Sequence, residues 1–94
     1  MSQDPSLPET PSLIEYPSDF PIKVMGRSRP DLSQTLVEVV LSFAPDFDPA
    51  TVEVRPSRSG NYIGLTFVVR ATSREQLDGL YRALHAHPMV SVVL

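Results

Sequence analysis

A chain of 94 residues with a formal charge of −3 and no cysteine holds one domain, and has no means to form disulfides, thiolate nucleophiles or Cys-ligated zinc. The acidic balance disfavours a nucleic-acid binder, which needs a basic face, and no run of roughly 18 apolar residues offers a membrane span. No basic segment precedes an apolar core at the N-terminus, so no secretory signal is visible, and a cytoplasmic location is expected.

Five of the ten prolines (Pro5, Pro8, Pro11, Pro17 and Pro21) fall within the first 21 residues. Proline fixes φ and removes a backbone donor, so helix or central strand is disfavoured there. With no apolar period alongside, residues 1–15 read as a flexible tail and residues 16–94 as a single α+β domain. The about 75 residues of the ordered core bury a modest share of their surface, so self-association would help such a domain.

The ordered part opens with Phe20, Ile22 and Val24 alternating with Pro21, Lys23 and Met25, the period of a strand with one buried face. Leu32, Leu36, Val39, Val40 and Phe43 then form one helical stripe. Pro30 suits the first helical position, Asp31 complements the helix dipole in the first turn, and Pro45 stops the helix. Asp46 to Pro49 reads as a loop. A second, short strand over Thr51 to Arg55 sets Val52 and Val54 against Glu53 and Arg55, and Pro56 ends it. Ser57 to Asn61 is turn chemistry between two strands.

The third strand is the strongest. Ile63, Leu65, Phe67, Val69 and Ala71 face one way, and Gly64, Thr66, Val68 and Arg70 the other. Thr72-Ser73-Arg74-Glu75 reads as a capping box with Thr72 as cap. Leu77, Leu80, Tyr81 and Leu84 form the stripe of a second helix, with Gly79 allowing close approach to the sheet. Met89 to Leu94 is a last strand. Strand, helix, strand, strand, helix, strand is the ferredoxin-like split βαβ pattern, an antiparallel sheet of order 4-1-3-2 with two helices on one face.

The residues offer little chemistry. His85 and His87 are two apart, a spacing that does not place two ligands on one helical face; interaction with the helix C-terminus is their expected role, and no metal site is expected. No serine sits in a Gly-x-Ser-x-Gly elbow, and no catalytic constellation or cofactor motif is visible. Gly26, Arg27, Ser28, Arg29 and Asp31 precede a helix start and form a candidate anion or small-ligand loop. The face of the sheet away from the helices is the more informative feature. Lys23, Met25, Arg55, Thr66, Val68, Arg70 and Val93 are expected there, an apolar patch with a charged rim, as at a partner surface. Its central positions carry no stacking aromatic, which disfavours RNA recognition.

Phe20-Pro21-Ile22-Lys23-Val24-Met25-Gly26, Pro56-Ser57-Arg58-Ser59-Gly60-Asn61-Tyr62 and the closing Val90-Ser91-Val92-Val93-Leu94 resemble the YbeD-like family of small uncharacterised bacterial proteins, over roughly Tyr16 to Leu94. The resemblance implies the split βαβ architecture, similar to ACT-type regulatory domains, and no established activity. ACT domains often bind amino acids at a Pro-Gly-Leu sequence in the first strand–helix loop. Here that stretch reads Pro30-Asp31-Leu32, with a charge where ligand would approach. The expectation is a non-enzymatic regulatory or interaction module acting through its open sheet face as a homodimer or with a protein partner. A sensor of an amino acid or anion at the first strand–helix loop is the alternative. A hydrolase resembling acylphosphatase, using Arg27 or Arg29 with Asn61, is the remote one.

Overall fold

The computed structural model describes residues 15–94. The tail expected over residues 1–15 lies, but for Glu15, outside them. Strands β1 (Ser18–Arg27), β2 (Glu53–Pro56), β3 (Tyr62–Ala71) and β4 (Val90–Val93) alternate with helices α1 (Leu32–Phe43) and α2 (Arg74–Ala86) in the order βαββαβ. The sheet is antiparallel with strand order β2-β3-β1-β4, the split βαβ topology that the element order implied. The two long strands form its centre, running in register from Ser18 opposite Ala71 to Arg27 opposite Tyr62.

Alternation decides which side is buried. Ile22, Val24, Leu65, Phe67, Val69 and Ala71 point to the helices and are fully or almost fully covered. Leu32, Leu36 and Val40 come down on them from α1, and Leu77, Leu80 and Leu84 from α2. Removing side chains such as Ile22, Leu36, Phe67 and Leu80 from water contributes about 1.5–3 kcal/mol each. Phe20 meets Tyr81 edge-on, ring centroids 6.4 Å apart. Phe47, which the sequence places in a loop, is buried with its ring 5.9 Å from that of Phe67.

Several local expectations need correction. Helix α1 begins at Leu32 with Asp31 as its N-cap, so Pro30 lies in the preceding turn instead of the first helical position. The Asp31 carboxylate accepts from Arg29 Nε at 2.7 Å and makes no capping bond to the helix. At α2 the cap is Ser73, whose Oγ accepts from Gln76 N at 3.1 Å. Gln76, in place of Glu75, reaches back, its Oε1 accepting from Thr72 N at 2.7 Å. An amide suits this position because it also donates: Nε2 bonds the Phe43 carbonyl at 2.9 Å. Gly79 faces the Phe43 ring of α1 instead of the sheet; a Cβ there would lie 2.8 Å from Phe43 Cε1.

The second strand starts later than its alternation suggests. Pro49–Thr51 form one 3₁₀ turn, with Asp48 Oδ1 accepting from Ala50 N at 3.0 Å and Thr51 Oγ1 donating to the Asp48 carbonyl at 2.6 Å. Val54 does face the helix side, opposite Leu65, yet stays 53% exposed at the sheet edge. The β2–β3 hairpin is closed by Ser57, whose N–H donates to the Tyr62 carbonyl at 2.8 Å while its Oγ accepts from Tyr62 N at 3.1 Å. Gly60 takes φ +82°, a value that favours glycine.

The last strand carries the correction that matters most. Val24 pairs with Val93 and Met25 with Val92, but Gly26 pairs with Val90. Ser91 is thus one extra residue, a β-bulge that breaks the period of two. Val90 and Val93 both pack on the core. Val93, expected on the open face, lies on the helix side, and Val92 takes its place.

Candidate functional site

The register lays out the open face in cross-strand rows, because each outward residue of β1 has an outward partner in β3. From one end these rows are Asp19 with Arg70, Pro21 with Val68, Lys23 with Thr66 and Glu53, Met25 with Gly64, Arg55 and Val92, and Arg27 with Tyr62. Lys23, Met25, Arg55, Thr66, Val68 and Arg70 are therefore brought onto one surface. Met25 is 40% exposed and Val68 44%, high values for large apolar side chains on central strands, and Val92 on the edge strand β4 is 44% exposed. Gly64 has no side chain to fill its place, which leaves a shallow trough of about 510 Å³ bounded by Lys23, Met25, Glu53, Arg55 and Thr66. Leu94 adds a further exposed apolar side chain at its margin.

The charges on this face are unevenly engaged. Arg70 Nη1 lies 3.7 Å from Asp19 Oδ1 across the ladder. The Arg27 guanidinium sits 5.8 Å above the Tyr62 ring centroid, a cation–π contact. Among the described residues no carboxylate comes within ion-pair distance of Lys23, Arg27 or Arg55. Arg27, Tyr62 and Val92 were not read as members of the face from the sequence. For Arg27 and Tyr62 the signal was available: carrying the outward set one step past Met25 and Gly64 reaches both. For Val92 it was not, because a bulge leaves no mark in a run of valines.

The first strand–helix loop is arranged differently. Gly26 belongs to β1 and is buried; a Cβ there would collide with the Met89 carbonyl. The Ser28 N–H donates to the Asn61 carbonyl at 2.9 Å. Arg29 holds Asp31, and its hydrogen bond keeps the Asp31 carboxyl below the usual range. Of the residues named for this loop, then, Gly26 faces the core, Arg29 and Asp31 satisfy one another, and Arg27 leans over Tyr62. Arg27, Ser28, Asn61 and Tyr62 together line a shallow polar depression, so Arg27 and Asn61 are neighbours across the hairpin tip. At the same end of the sheet, where Met89 meets Gly26, His87 caps α2, and its Nδ1 accepts from Met89 N at 3.1 Å.

The comparisons with known proteins agree with the residue blocks quoted above. Residues 11–94 match the family described as "Protein of unknown function (DUF493)". The chain belongs to this family. It is similar to the UPF0250 protein of Bordetella pertussis, 73% identical over 89 residues that cover 95% of this chain and 98% of the relative. The UPF0250 protein of Ralstonia nicotianae is 63% identical, covering 96% and 93%, and that of Nitrosomonas europaea 58% identical, covering 88% and 95%. These are the YbeD-like proteins of the resemblance. Their names carry no activity. No helix among the described residues is long and apolar enough to cross a membrane.

Proposed function

We propose that this member of the DUF493 family is a non-enzymatic interaction module of regulatory type, and that its working surface is the open face of the sheet. One observation carries the reading: Met25 and Val92 in one row and Val68 two rows away are exposed on the face opposite the helices, with Lys23 between them and Arg55 and Arg70 at the margins. Exposed apolar side chains among polar ones, with Met and Arg frequent, match the composition of a protein interface. The test is retention of cellular proteins on immobilised chain. Proteins held by the wild type and by Glu38→Lys, a change on exposed α1 surface, are lost with Val68→Glu. Retention that survives Val68→Glu but not Glu38→Lys contradicts it.

A homodimer on the same face is the second reading. It is favoured by Met25 and Val92 lying side by side in one row, where a two-fold axis would bury both copies' apolar band. Light scattering decides it: a monomer at high micromolar concentration, unchanged by Val68→Glu, removes it. The small-ligand reading at Gly26 to Asp31 has less support, because the Arg29–Asp31 pair occupies the charges an anion would use. A thermal-shift screen with amino acids and phosphate tests it, since ligand binding raises apparent stability. The hydrolase reading rests on Arg27 beside Asn61 in an exposed depression and on fold analogy, which says little about activity.

A further inference from the structure

We propose that the open face takes an acidic amphipathic helix of a partner protein, laid along β1 and β3, with its apolar stripe on Val68, Met25 and Val92 and its carboxylates against Lys23, Arg27 and Arg55. The inference rests on the reading of this face as the interaction surface, and names its occupant.

Charge points to the sign of the partner. Among the described residues, four of the eight basic ones, Lys23, Arg27, Arg55 and Arg70, lie on the open face, against two of the nine acidic ones, Asp19 and Glu53. Asp19 is already beside Arg70. The trough end, around Met25 and Gly64, therefore carries three cations to one carboxylate, with no ion pair among the described residues. Two copies packed face to face would bring two such surfaces together, whereas an acidic partner neutralises one.

Backbone chemistry points to the partner's form. β1 is bonded to β3 and β4, and β3 to β1 and β2, so the middle of the face has no backbone groups to offer. An extended peptide lying there would leave its own N–H and C=O groups unpaired against apolar side chains; a helix satisfies them internally. The dimensions fit. The Val68 row and the Met25 row are four residues apart, about 13 Å along the strands, and helix positions i and i+8 are about 12 Å apart, with position i+4 over the Lys23–Thr66 row between them.

The test is fluorescence anisotropy on the full chain with two synthetic helical peptides of about 18 residues sharing a leucine stripe, one flanked by glutamate and one by lysine. The glutamate peptide binds at least about ten-fold more tightly than the lysine peptide, and its affinity falls as salt rises. Lys23→Glu and Arg55→Glu each weaken it severalfold, while Glu38→Lys leaves it unchanged; circular dichroism confirms that each variant is folded. Equal binding of the two peptides, both lost with Val68→Glu, overturns the acidic helix and leaves the interaction face standing. Binding of the glutamate peptide untouched by Val68→Glu, Lys23→Glu and Arg55→Glu overturns both. A single-stranded oligonucleotide that binds more tightly than the glutamate peptide overturns the proposal in favour of nucleic acid.

Discussion

Val92 stands opposite Met25 in the β1–β4 ladder while Val90 stands opposite Gly26, so one residue of β1 advances β4 by two. The extra residue, Ser91, reverses the phase of the strand. A run of three nearly identical side chains is thereby divided: Val90 and Val93 go to the core and Val92 to the open face. That division adds a third exposed apolar position, on the edge strand β4 beside Met25, to the two on the central strands.

The bulge makes a sharp prediction about adjacent valines. Val93→Glu places a carboxylate on the core side and destabilises the fold by about 2–4 kcal/mol. Val92→Glu, one residue earlier, changes stability by no more than about 0.5 kcal/mol and abolishes binding at the open face. Urea denaturation of the two variants checks the first half, and equal destabilisation would mean that the register is wrong.

Gln76 ties α2 to α1 through the Phe43 carbonyl and to its own N-terminus through Thr72 N. Gln76→Ala leaves both groups without this partner and costs about 1–3 kcal/mol. Ser73→Ala costs about 1 kcal/mol as an ordinary cap deletion. Gln76→Glu keeps the acceptor and loses the donor, so its denaturation midpoint falls below wild type. An unchanged midpoint would show that the Phe43 bond adds nothing.

Where the sequence was legible, it was legible through period. Phe20, Ile22 and Val24, and Ile63 through Ala71, alternate without interruption, and β1 and β3 follow. The helices were equally plain, as was the topology that joins them. What escaped lies where one local bond overrides a pattern. Thr51 alternates like a strand residue, but its hydroxyl bonds the Asp48 carbonyl and holds it in a 3₁₀ turn. Thr72 and Ser73 are both good caps; the choice of Ser73 depends on Gln76 reaching a carbonyl 33 residues away, in α1. The candidate face was read correctly in its central rows from alternation, and incorrectly at Val93, because a bulge is a property of two strands together.

Gly79 is where the two helices meet. Alanine there gains about 1 kcal/mol in helix propensity, but its methyl group would meet the Phe43 ring at 2.8 Å. Such overpacking costs about 1–3 kcal/mol, so Gly79→Ala is destabilising on balance. Adding Phe43→Leu recovers part of the loss. A Gly79→Ala variant more stable than wild type would show that the ring swings away freely.

Burial beside Phe20 raises the Tyr81 phenol above its ordinary value of 10.0. The folded value exceeds the unfolded one, so the neutral phenol's contribution is complete below about pH 10 and is lost as pH rises toward the folded value. Tyr81→Phe removes this limb. Denaturant midpoints of the two proteins, followed through the alkaline range, fall more steeply for wild type; parallel curves would refute the assignment.

The most direct measurement is site-specific photo-crosslinking in cells, with a benzophenone side chain at Thr66 on the open face and, separately, at Glu38 on α1. Adducts form from position 66, disappear when Val68→Glu is added, and do not form from position 38. Adducts from position 38 alone, or from position 66 but indifferent to Val68→Glu, would contradict the open face as the working surface.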